Sequence, residues 1–158
     1  MTMQDVQEIR LIADNVLAAP DWFTPEQVST ACGAELREVS STNPYAREFA
    51  AHLDGEPFSS IVFRCPLAPE ARSSSLAIMY VARDVRITRT DMAARFELPI
   101  ESARINPRIP PDGTVSFTLG QGARTIRLRF DARSKLLRDV SVHENRAQFR
   151  RPSSGSLE

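Results

Sequence analysis

Lysine is almost absent from this chain. Of its twenty basic residues, Lys135 alone is a lysine and the rest are arginine. GC-rich coding produces that bias, and it points to no particular chemistry. Cysteine and histidine are nearly as scarce, at two each. Cys32 and Cys65 form no C-x-x-C, neither has a histidine beside it, and a structural zinc site needs about four ligands at short spacings. No resident metal or other cofactor is therefore expected. The two thiols are expected to be reduced and buried, although one at a helix end and one in a strand leave a single disulfide open.

Glycine is sparse as well, at six residues. No G-x-G-x-x-G follows a strand, and there is no Walker loop, G-x-S-x-G elbow or H-E-x-x-H. Gly120-Gln121-Gly122 reads as hairpin punctuation, because no helix follows to supply a phosphate-binding dipole. Long apolar runs are missing too, and none approaches the roughly 18 to 20 residues of a membrane span. The opening MTMQDVQEIRLIADN carries three acids and one arginine, the wrong order for a secretion leader. The expected compartment is the cytoplasm, with the periplasm open if a leader has been removed.

What is present is an ordinary globular composition: 158 residues, 42% apolar and 25% charged, with zero formal net charge. That length suits one domain with a real core. The charge is unevenly spread. Residues 1–79 hold 11 acids against 5 arginines, and residues 80–158 hold 9 acids against 15 bases. Such asymmetry steers a partner of opposite sign, or cancels when the halves pack together. Zero net charge argues against a nucleic-acid reader, so Arg127 and Arg129, alternating with Ile126, Leu128 and Phe130, read as a salt ladder facing Asp139.

Residues 3–18 repeat apolar side chains every three or four positions (Val6, Ile9, Ala13, Val16, Leu17), which predicts a helix ended by Pro20. Thr24-Pro25-x-Gln27 then has the grammar of an N-cap, a proline at N1 and a capping box, with Gly33 as the stop. Tyr45, Phe49 and Leu53 fit either a strand or a helix. The Asp54-Gly55 turn and the alternation of Ile61, Phe63 and Cys65 favour a hairpin over 45–53 and 58–65. SLAIMYVA, 75–82, reads as a central strand covered on both faces. A second series follows: a helix capped by Thr90, a proline-rich loop over 98–113, a hairpin through 114–130 and a last strand ending near His143. The expected fold is α+β: one domain over 1–145, an antiparallel sheet of about six to eight strands, and three helices on one face. Residues 23–82 and 87–143 could be two degenerate helix–hairpin–strand repeats. Residues 146–158 read as a disordered tail or linker.

Few residues suggest chemistry. His143 with Glu144 or Asp139 could serve acid–base work, but neighbours on a strand are usually solvated. Two loops are more suggestive of binding. Asp54, Glu56 and Phe58 form an acidic hairpin tip followed by an aromatic, and Trp22, the only tryptophan, stands beside Asp21 in a connection. Tryptophan is a frequent interface anchor. Phe23, next to it, reads as a hydrophobic staple to the following helix.

The T-x-x-x-V-x-x-x-x-G pattern of Thr24, Val28 and Gly33, echoed by Thr88 and Met92, resembles the fold of β-lactamase inhibitor proteins and outer-membrane-assembly lipoproteins. The echo departs from that pattern where Glu97 and Leu98 stand in place of the second glycine, and the cysteine pairs of those proteins are absent. The chain is also similar to bacterial toxin-immunity proteins, which are small and poor in motifs. The resemblance implies a non-enzymatic module that inhibits a bacterial enzyme or toxin, with Trp22, Asp54, Glu56 and Phe58 meeting a basic cleft on the partner. A type III-like secretion chaperone and a small-ligand-binding or hydrolytic α+β domain are the alternatives. No nucleic acid or membrane is expected as a partner, and the oligomeric state is open.

Overall fold

The computed structural model describes residues 2–18, 23–53, 57–67, 74–96, 113–119 and 123–145. The chain runs α1 (Thr2–Ala18), α2 (Pro25–Cys32), β1 (Arg37–Val39), β2 (Ala46–His52), β3 (Phe58–Pro66), β4 (Ser74–Val81), α3 (Arg89–Phe96), β5 (Thr114–Leu119), β6 (Arg124–Asp131) and β7 (Leu137–Asn145). All seven strands form one antiparallel sheet in the order β1-β2-β3-β4-β7-β6-β5. The α+β expectation therefore holds.

The sheet consists of two meanders joined at its centre. The helix α2 precedes β1 to β4, the helix α3 precedes β5 to β7, and the last strand of each meander pairs with the other, Ala77 opposite Val142. Register gives the inner face. Ile61, Phe63 and Cys65 of β3, Ala77 and Met79 of β4, Ile126, Leu128 and Phe130 of β6, and Val140 and Val142 of β7 are all buried. Val6 and Ile9 of α1, Val28 of α2 and Met92 of α3 belong to the same cluster, so the core lies between the helices and this face. Burying a large aliphatic or aromatic side chain contributes about 1.5–3 kcal/mol. Both hairpins carry buried aromatics. Phe49 faces Phe63 in one hairpin and Phe117 faces Leu128 in the other, with Phe117 edge-on to Phe130 at 5.8 Å.

Both short helices are entered in the same way. Thr24 Oγ1 accepts from Gln27 N–H at 3.2 Å, and the Gln27 side chain accepts from Thr24 N–H at 3.3 Å. Thr88 Oγ1 accepts from Asp91 N–H at 3.2 Å, and Asp91 Oδ2 accepts from Thr88 N–H at 2.9 Å. The apolar residue before each cap (Phe23, Ile87) and the one four past it (Val28, Met92) are buried, as a hydrophobic staple requires. The second cap is thus Thr88, and Thr90 stands inside the helix.

A further expectation needs correction. β4 is central, but among the described residues no helix covers its second face. Ser75, Ala77 and Met79 are buried, whereas Leu76 and Ile78 are half-buried and Tyr80 is exposed. The described helices put their buried side chains into one face only, and an apolar run does not reveal how many layers will cover it. No disulfide joins Cys32 and Cys65. No helix among the described residues is long and apolar enough to cross a membrane.

Candidate functional site

Beside the turn end of the β2–β3 hairpin the chain leaves a cleft of about 530 Å³. Glu8 and Ile12 reach it from α1, Cys32 and Gly33 from the end of α2, Ala34 and Glu35 from the chain that leaves it, and His52, Leu53, Pro57 and Phe58 from the hairpin. Local chemistry builds each wall. Gly33 adopts φ 68° and ψ 27°, the left-handed conformation that ends α2 and turns the chain out along the cleft. Ala34 N–H donates to Ser29 O at 3.2 Å, and Leu36 N–H donates to Ser29 Oγ at 3.1 Å, which fixes that exit. On the other side Leu53 N–H donates to Ser59 O at 2.9 Å, and Ala82 N–H donates to Pro57 O at 2.8 Å, tying the hairpin end to the sheet.

The lining is more polar than apolar, with Ile12, Leu53 and Phe58 interspersed among Glu8, Glu35 and His52. Glu8, Glu35 and His52 are exposed, and among the described residues the lining carries no arginine or lysine. Burial pushes the Cys32 thiol up to about 11, so it is protonated at neutral pH and is no nucleophile there. A cleft of this kind suits a cationic side chain whose alkyl stem lies against Ile12 or Leu53 and whose head meets the carboxylates.

Of the four residues singled out as partner contacts, Trp22, Asp54 and Glu56 lie outside the described residues. The loop that carries Asp54 and Glu56 joins Leu53 to Pro57, two residues of the cleft wall. Phe58 is corrected. It is 3% exposed and packs into the core behind the cleft.

Sequence reading missed the most exposed aromatic among the described residues. Tyr45 is 81% and Leu67 is 57% exposed, and they are cross-strand neighbours at the open end of the same hairpin, with Leu67 N–H donating to Tyr45 O at 3.0 Å. The backbone under Tyr45 is fixed by Asn43, whose Oδ1 accepts its N–H at 2.9 Å. Beside it Arg47 and Glu38 form a two-pronged ion pair, with Arg47 Nε and Nη2 at 3.0 and 2.8 Å from the Glu38 oxygens. The Arg47 guanidinium hydrogen bond holds the Glu38 carboxyl below the usual carboxylate range. The one available signal for Tyr45 was its place directly after the Asn43-Pro44 break, ahead of the strand.

The acid–base candidates are separated by the pleat. Glu144 lies on the helix face, fully buried, whereas His143 is exposed on the opposite face. Asp139 shares the face of His143 but is four residues away, about 13 Å along a strand, and is bound by Arg129 instead. The salt ladder expected there is present at that pair. Among the described residues no group of three metal-ligating side chains gathers. The void between α2 and the sheet, lined by Phe23, Val28, Ile61 and Met79 among others, is only about 10 Å³. It is apolar and too small for a ligand. No protein-family profile, curated protein sequence or solved structure matches this chain.

Proposed function

We propose that this protein is a non-enzymatic binding module of the inhibitor or immunity kind, which neutralises a bacterial enzyme or toxin by seating a basic segment of it in the cleft between α1, the end of α2 and the β2–β3 turn. One observation carries the reading. A largely polar cleft of about 530 Å³ is lined by Glu8 and Glu35 with no arginine or lysine among its described lining residues, in the half of the chain where acids outnumber arginines 11 to 5. Tyr45 and Leu67, at the other end of the same hairpin, supply the kind of exposed aromatic and aliphatic contact that anchors an interface.

The test is capture from a lysate of the source organism with the tagged full-length chain, followed by an assay of whatever is recovered. One stoichiometric enzyme, inactive while bound, is the expected result. Glu8→Arg with Glu35→Arg should weaken that complex at least tenfold, which is about 1.4 kcal/mol, with an unchanged circular dichroism spectrum because both residues are exposed. A captured enzyme that stays active counts against inhibition. Undiminished affinity of the double variant removes the cleft as the binding site.

A further inference from the structure

The sheet ends in two edges, and they are built differently. An edge strand presents unpaired N–H and C=O groups, and proteins blunt such edges with charge, proline or brevity. The β1 edge is only three residues long, Arg37, Glu38 and Val39, and two of the three are charged. The β5 edge is six residues long, Thr-Val-Ser-Phe-Thr-Leu, with no charge, proline or glycine. Among the described residues no strand pairs with its outer side. Phe117 is buried while Val115 and Leu119 are only partly buried against the core, so the apolar face is incompletely covered at this edge. Thr114, Ser116 and Thr118 alternate onto the opposite face.

We propose that β5 pairs antiparallel with β5 of a second copy of this chain, around a two-fold axis through Ser116, to make one continuous sheet across the dimer. The strand matches itself in that register. Thr114 falls opposite Thr118 and Phe117 opposite Val115, each pair on a common face. Threonine pairs and aromatic pairs with β-branched residues are favourable cross-strand combinations. No charged residue of the strand meets its own copy, and a chain of zero net charge has no long-range repulsion to overcome. A second copy also explains where growth stops. Once the two β5 strands pair, only the short charged β1 edges remain outside, so the assembly closes at two. This surface lies at the far edge of the sheet from β1 and β2 and stands independently of the cleft.

Sedimentation velocity on the full chain, from low to high micromolar concentration, reads the outcome directly. The expected species has twice the 17.6 kDa mass of one chain. Ser116 is exposed, so a charge there leaves the fold intact and circular dichroism confirms it. Ser116→Lys and Ser116→Glu should each weaken the dimer at least tenfold, because each sets like charges face to face. An equimolar mixture of the two should restore it as a heterodimer. A wild-type chain that stays monomeric overturns the proposal. So does a dimer indifferent to both charges, or a mixture that fails to reassociate.

Discussion

Strands β6 and β7 carry two arginine–carboxylate pairs, each directly opposed across the same ladder, and the two pairs live in different worlds. Arg124 and Glu144 stand on the helix face with side-chain exposures of 4% and 0%, whereas Arg129 and Asp139 stand on the open face at 41% and 4%. Burial made the first pair part of a larger device. The Glu144 carboxylate accepts Arg124 Nε–H at 3.0 Å, the Ser75 hydroxyl at 2.9 Å and the Phe23 N–H at 3.0 Å to each oxygen. Arg124 also lies over the Phe23 ring, 4.1 Å from its centroid. One carboxylate thus ties the residue before the α2 cap to β4 and β6. The second pair joins only two neighbouring strands, and its arginine can turn into water.

The sharpest way to test that difference is to remove each carboxylate. Glu144→Ala should destabilise the chain by about 3–5 kcal/mol, because it takes this carboxylate from a buried guanidinium and leaves the Phe23 N–H and Ser75 hydroxyl without this acceptor. Replacing the pair together, Arg124→Met with Glu144→Leu, should cost less, about 1–3 kcal/mol, since the buried charges go but those two donors still lose their acceptor. Asp139→Ala should cost about 1 kcal/mol. Urea unfolding of the three variants ranks them. An Asp139→Ala loss as large as that of Glu144→Ala would mean that cover by the helices is not what separates the pairs.

How much of this was legible in the sequence depended on range. Signals that act within a few residues were readable: the Thr24–Gln27 box, the Gly33 stop, and the hairpin around Asp54-Gly55. The second cap was also readable by the same rule. Thr88 has Asp91 three residues on, the acceptor a box needs, whereas Thr90 has Ala93 there. The Arg124–Glu144 pair could not be found that way. Both residues stand on the inward phase of their strands, but their meeting depends on a register set across β6 and β7 and on α2 arriving to cover them. The site was legible only in part. The acidic character of the hairpin region was readable, but the cleft needs Glu8 and Glu35 from separate elements, and the exposure of Tyr45 needs the helices to stop short of it.

The two capping boxes offer a smaller contrast. Thr24→Ala and Thr88→Ala should each lower stability by about 1 kcal/mol, while Thr90→Ala should change it by less than about 0.5 kcal/mol, as exposed positions usually do. A larger loss at Thr90 than at Thr88 would reassign the start of α3.

The finest comparison concerns one backbone conformation held by two different residues. Gly33 has φ 68° at the end of α2, and Lys135 has φ 63° in the turn before β7. A Cβ built on Gly33 meets nothing within 4 Å, so Gly33→Ala isolates the conformational penalty, about 1–2 kcal/mol. Lys135 sustains the same strain because its turn is tied down. Its N–H donates to Asp131 O at 2.8 Å, and Asp131 Oδ1 accepts from Ser134 N–H at 2.8 Å and Arg133 N–H at 2.9 Å. Those backbone donors, Ser134 first, hold the Asp131 carboxyl below its ordinary range, so its contribution is present at neutral pH and is lost as pH falls through the folded pKa. Lys135→Gly should relieve the strain but free the unfolded chain, a net gain of under about 1 kcal/mol at neutral pH. Thermal melts of the two variants should therefore move in opposite directions, Gly33→Ala down and Lys135→Gly slightly up. A fall in both would mean that the lysine side chain, and not the Asp131 turn alone, holds that corner in place.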